Sequence, residues 1–256
     1  MRDVVFFDVD GTLLPGGAGR IPEGTEAALR RLRANGVGIV LCTGRHPQEI
    51  ARFEDIPFDG YVLLNGQLCL DGDKRPIFTN PIVGGDRREL LGLFDGREVP
   101  VILVEIGRQY MNVHSPEAAA VQSECDLELY PIGEHGDAEI LMATVFTDRE
   151  IRIGGLQVAR WHRWACDVYN RGDGKSRGAG GGKGGGVRFF LERFGVARER
   201  SYAFGDAHND IDMLECVGTG IAMGNAYEAT KRAADYVTDD CDRDGVRKAL
   251  EHFGLI

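Results

Sequence analysis

Apolar residues arrive along this chain in short, unbroken runs: 4–7, 37–42, 61–64, 201–205 and 220–223. Runs of this length without helical spacing read as strands buried on both faces, the kind that make up a parallel sheet flanked by helices. Amphipathic segments lie between them. One opens at Pro22 and Thr25 and stops at Asn35-Gly36, and others are expected from near Pro47, over 187–194 before Gly195, from Ile211, over 227–234 and over 244–253. The alternation predicts an α/β fold, a Rossmann-like core with a parallel sheet. Residues 67–78 alternate around Asp71-Gly72-Asp73 and predict a β-hairpin leaving that sheet.

From about 82 to about 181 the rhythm changes. Short helices are expected over 86–94 and 116–125, with strands over 101–106, 110–114, 140–146 and 156–164. These strands alternate, which predicts an α+β domain with one solvated sheet face. The expected organisation is therefore a core of 1–81 and 182–256 with an inserted domain of 82–181. The glycine-rich stretch 172–186 reads as a linker between them.

Composition narrows the class. The 256 residues with 43% hydrophobic content suit a globular protein, and the net charge of −10 opposes nonspecific binding to nucleic acid or anionic membranes. No apolar run reaches the roughly 18 residues of a membrane span, and no signal-peptide pattern opens the chain, so a cytoplasmic protein is expected. Cys42, Cys69, Cys125, Cys166, Cys216 and Cys241 show no paired spacing and read as reduced thiols. His114, His135 and His162 share no metal-ligand spacing, and Trp161 and Trp164 read as packing residues of the insert, with an aromatic lining a ligand pocket as the alternative. Nothing in the pattern specifies an oligomeric state.

The chemistry gathers where strands end. Asp8 and Asp10 follow the first apolar run, and period-two alternation puts them on one side with Val9 pointing away. Two carboxylates so close require a cation between them or one kept protonated. Gly11 allows a sharp turn and Thr12 adds a hydroxyl. Thr43-Gly44-Arg45 closes the second run, where a hydroxyl, a glycine and a following helix make a phosphate cradle, although taken alone it reads first as a capped helix start. Asn65-Gly66 is a turn that can also touch substrate. Asp206 and Asp210 end a later strand and complete a cation site with Asp8 and Asp10. Lys183 precedes a helix N-terminus, where an anion is favoured.

Asp8-Val9-Asp10-Gly11-Thr12 resembles the first motif of the haloacid dehalogenase superfamily. Leu41–Arg45, Gly182-Lys183-Gly184 and Gly205–Asp210 resemble its second, third and fourth, and over its whole length the chain is similar to the Cof-like, sugar-phosphatase branch with a C2-type α/β cap. That resemblance implies a phosphoric monoester hydrolase acting on a small phosphorylated substrate, with Mg2+ as cofactor. It makes Asp8 the nucleophile, which forms an aspartyl-phosphate, and Asp10 the acid/base. Thr43, Gly44, Arg45, Asn65 and Asn209 become phosphate- and substrate-binding residues, and Lys183 stabilises the phosphoryl group. Asp8, Asp10, Asp206 and Asp210 become the metal site, Asp10 through its backbone carbonyl. A phosphomutase and a silent phosphosugar-binding protein are the alternatives. One departure is visible: the family has a single lysine after the last cap strand, whereas this chain offers Lys175 and Lys183, of which Lys183 is favoured.

Overall fold

A computed structural model describes residues 3–16, 20–53, 55–125, 127, 129–171 and 181–256. In chain order the elements are β1 (Val4–Asp8), α1 (Glu23–Ala34), β2 (Gly38–Cys42), β3 (Gly60–Leu63), β4 (Leu68–Asp71), β5 (Pro76–Thr79), α2 (Gly84–Gly96), β6 (Val101–Val104), β7 (Gln109–Met111), α3 (Pro116–Glu124) and β8 (Met142–Val145). They continue with β9 (Gln157–His162), β10 (Ala165–Tyr169), α4 (Lys183–Phe194), β11 (Ser201–Gly205), α5 (Ile211–Cys216), β12 (Thr219–Ala222), α6 (Glu228–Ala233), β13 (Tyr236–Val237) and α7 (Gly245–His252). Pro47–Phe53 forms a 3-10 helix in place of the α-helix expected there. Two compact units result, Met1–Thr79 with Gly174–Ile256 and Asn80–Asp173.

The first unit holds one eight-stranded sheet in the order β13-β12-β11-β1-β2-β3-β4-β5. β1 lies parallel between β2 and β11, with Asp8 opposite Cys42 and Phe7 opposite Phe204. Every residue of β1, β2 and β3 is buried, which is why these segments read as unbroken apolar runs. On one face Val4, Phe6, Val40 and Val62 pack with Val187 and Phe190 of α4 and Met213 of α5. The predicted hairpin exists as β4 and β5, but it does not leave the sheet. β4 pairs antiparallel with β3 and β5 with β4, because Leu68, Cys69 and Leu70 are as buried as the strands beside them. The connections leave β1 in opposite directions, so the crevice at its carboxyl end, between β2 and β11, is the switch point where such sheets bind ligands.

The second unit is a five-stranded antiparallel sheet, β7-β6-β8-β10-β9, with Leu90 and Phe94 of α2 packed on Val101, Leu103, Ala143 and Val168. The expected solvated face is not found on its central strands. All four residues of β6 and of β8 are buried, and half-buried and exposed positions run along the edge strand β9. His114, His135 and His162 take protein partners, Tyr130 O, Asp95 and Glu124. Trp161 donates from Nε1 to Asp167 Oδ1 at 3.0 Å. All six cysteines are free.

Candidate active site

Three strand ends meet at the switch point. β1 ends in Asp8, β2 runs into Thr43, and β11 runs into Asp206 through a short 3-10 turn to Asp210. Carboxylate oxygens of Asp8, Asp206 and Asp210 lie within 4.8 Å of one another. Into this group comes the ammonium of Lys183, the first residue of α4, rather than the loop residue ahead of a helix that was expected. Its Nζ donates to Asp8 Oδ1 and to Asp210 Oδ1, each at 2.6 Å, and all three side chains are essentially buried.

The charges set one another. Burial pushes the Asp8 carboxyl well above the carboxylate range, Asp210 adds repulsion, and Lys183 opposes both. Asp206 is pushed up to about 6 by burial and by Asp210. Burial works against the Lys183 charge, yet Asp210 and Asp8 outweigh it and hold its pKa above the ordinary lysine range. Two acids are thus left short of positive charge. Asp8 Oδ2 is buried and has no donor, and such an atom costs free energy unless a cation or proton meets it. Hard oxygen ligands and an unmet buried carboxylate oxygen fit a divalent cation.

The four acids assigned to the metal are not equivalent. Asp210 Oδ1 is taken by Lys183, and its Oδ2 accepts from Asp206 N at 3.0 Å and Ala207 N at 2.9 Å, so this side chain organises the loop. Asp10 lies beyond the end of β1, in a turn closed by Gly11 N to Leu14 O and Leu14 N to Val9 O, so strand alternation does not carry through to it. Its half-exposed carboxylate stays out of the cluster. Arg45 forks onto it instead, Nε to Oδ2 at 2.9 Å and Nη2 to Oδ1 at 2.8 Å, and that contact raises the pKa of Arg45. Asp8 and Asp206 therefore remain as the side chains with oxygen to spare for an ion.

The cradle residues come together. Thr43 is buried, its Oγ1 accepting from Arg45 N at 3.1 Å and its carbonyl from Asn65 N at 3.2 Å. Asn65 is buried at φ 52°, ψ 41°, a left-handed conformation that asparagine tolerates, and Asn209 Nδ2 donates to its Oδ1 at 3.0 Å. A β-carbon on Gly44 would lie 3.2 Å from the Asn65 amide, so this glycine lets the two loops meet. Gly66 (φ +88°) packs so closely on Gly182 that a side chain there would collide with the Gly182 carbonyl. Lys175 lies outside the described residues.

Two residues escaped the sequence reading as contributors. Asn225 donates to Gly11 O at 2.8 Å and accepts from Cys241 N at 2.9 Å, tying down the turn that carries Asp10. Asp212, pushed up to about 6 by burial against the pull of the Gly184 amide, accepts from Gly184 N at 3.0 Å. Its visible signal was a third acid two residues past Asp210.

A doubly wound α/β core with an acidic cluster and a buried lysine at the switch point defines a class of phosphoryl-transfer hydrolases. The chain belongs to the haloacid dehalogenase-like hydrolase family, which matches residues 5–250, and it is a phosphoric monoester hydrolase of that family. It is 30% identical over 99% of its length, and 98% of the relative's, to the provisionally named phosphatase YkrA of Bacillus subtilis (strain 168). The solved structure of the haloacid dehalogenase superfamily phosphatase BT1666 from Bacteroides thetaiotaomicron superposes with a TM-score of 0.88 at 30% identity, covering 100% of this chain and 96% of that one. That of the subclass IIB sugar phosphatase BT4131 gives 0.85 at 30% identity, covering 99% and 100%. Phosphatases of the family use a divalent metal, and this chain supplies an acidic cluster for one.

Proposed function

We propose that this chain is a Mg2+-dependent phosphatase of small phosphorylated metabolites, sugar phosphates foremost, working through an aspartyl-phosphate on Asp8. The observation that carries the reading is the buried Asp8 carboxylate, with Lys183 on one oxygen and no donor on the other. A carboxylate used only for stability would have both oxygens met. Likeness to the sugar phosphatase BT4131 supports the substrate class.

Asp8 and Asp206 would hold the ion, with the backbone carbonyl of Asp10. When bound, the cation supplies charge neutralisation at the phosphoryl oxygens and orients the Asp8 carboxylate. An Asp8 oxygen attacks phosphorus, the bond to the leaving oxygen breaks, and Asp10 gives that oxygen its proton. Asp10 then takes a proton from water, whose oxygen attacks phosphorus and displaces Asp8, releasing inorganic phosphate. Lys183, Thr43 and Gly44 face the equatorial oxygens, where most of the stabilisation in phosphoryl transfer is applied. The Arg45 fork holds the Asp10 side chain in place beyond the end of β1, and a parted pair would leave Arg45 free to meet the substrate. Asn65 and Asn209 hold the cradle in register, and the unit Asn80–Asp173 is the cap that selects substrate. Reduced cysteines fit a cytoplasmic setting, and among the described residues no helix is long and apolar enough to cross a membrane.

The test is a panel of sugar phosphates and other phosphate monoesters assayed for inorganic phosphate with Mg2+ and with chelator. Mg2+-dependent release that disappears in Asp8→Asn is expected. Release unchanged in that variant overturns the mechanism.

A further inference from the structure

The first turn of α4 reads Lys183-Gly184-Gly185-Gly186, and each glycine in a helix is about 1 kcal/mol less favourable than alanine. Its N-cap is Gly182, at φ 84°, ψ −175°, with no side chain to accept from the free amides. Yet this turn carries the ammonium that must stay between Asp8 and Asp210. A helix start so weak by itself needs an external anchor.

Asp212 is that anchor. Its Oδ2 accepts from Gly184 N at 3.0 Å, the bond that a serine or aspartate N-cap makes to the second amide of its own helix. Here the acceptor comes from α5, and its negative charge also suits the positive end of the α4 dipole. The glycines are what allow it so near. A β-carbon on Gly182 would collide with the Asp212 carboxylate, one on Gly184 would lie 2.5 Å from the Asp212 carbonyl oxygen, and one on Gly186 would enter the Val62 side chain. One short segment therefore grips the same turn twice, Asp210 through the Lys183 ammonium and Asp212 through the main chain one residue on.

We propose that Asp212 is a positioning residue for phosphoryl transfer: it caps α4 from the neighbouring helix and so fixes where Lys183 delivers its charge. The inference rests on the phosphatase reading for the role of Lys183. It adds a residue that acts through Lys183 and not on the reacting atoms.

The test compares Asp212→Ala, Asp212→Leu and Asp212→Asn in the full chain by amide hydrogen exchange and by steady-state kinetics with Mg2+. In Asp212→Ala the Gly184 amide should exchange about fivefold faster or more, the equivalent of one lost cap. Its kcat should fall about ten- to a hundredfold with KM little changed, since a misplacement of about 1 Å can cost that much. Asp212→Leu, which keeps the branching at Cγ but has no acceptor, should repeat both effects and stands in if the alanine variant does not fold. Asp212→Asn keeps an oxygen at the same reach and should restore both readings to within about threefold of the parent. A protected Gly184 amide with parental kcat in the alanine or leucine variant overturns the proposal, as does an asparagine variant as impaired as alanine. A parent protein that hydrolyses no phosphate ester overturns the phosphatase reading instead, and the exchange comparison then decides the capping by itself.

Discussion

Lys183 Nζ sits 2.6 Å from Asp8 Oδ1, although 175 positions separate the two residues in the chain. Asp210 shares the same ammonium and all three side chains are essentially buried, so one positive charge serves two buried acids. Removing the lysine would strand Asp8 and Asp210 together. Lys183→Met should therefore lower the stability of the metal-free protein by about 3–5 kcal/mol. Saturating Mg2+ should recover part of that loss while turnover stays down about a hundred- to a thousandfold. Denaturant melts with and without Mg2+, alongside phosphate release, check both halves.

Asp8→Asn should behave in the opposite way. The amide is a poor nucleophile of similar shape, so turnover should vanish. Metal-free stability should hold or rise, because one member of a repelling buried pair becomes neutral. A folded, inactive protein with a thermal midpoint at or above that of the parent is the expected result.

Asp10 and Asp206 should separate cleanly by calorimetry. Asp10 faces Arg45 and not the acidic cluster, so Asp10→Asn should keep its Mg2+ affinity while losing about a hundred- to ten-thousandfold in rate. Asp206→Asn should lose Mg2+ affinity first. Equal losses of affinity in the two variants would contradict the assignment. Arg45→Ala should change stability by less than about 1 kcal/mol, as part-exposed pairs do.

Acid should stabilise the metal-free protein over a limited window. Asp206 and Asp212 are both pushed up to about 6 by burial, from an unfolded value near 3.8. Between those values the folded state binds more protons than the unfolded one, so stability rises as pH falls from about 6 towards 4, by on the order of 1 kcal/mol per pH unit and group. Melts in chelator across that window should show the gain. Asp212→Asn should remove its share of the slope, and Mg2+, which needs Asp206 ionised, should weaken the rest.

By itself the sequence determined the elements and where chemistry could stand. Unbroken apolar runs such as 37–42 specify strands buried on both faces, because the period of the side chains is a local property of the chain. The acids at 8 and 206, closing two such runs, mark the ligand edge of the sheet for the same reason. Tertiary structure decided the pairings. That Arg45 forks onto Asp10, that Asp210 has both oxygens taken by Lys183 and two backbone amides, and that the 68–79 hairpin joins the sheet all depend on which distant segments become neighbours. The glycines around Lys183 show the difference most plainly. Along the chain they read as a linker, whereas in the fold Gly182, Gly184 and Gly186 are positions where Asp212 and Val62 leave no room for a β-carbon. Close approach between segments far apart in sequence leaves no local period to read, so packing alone reveals it.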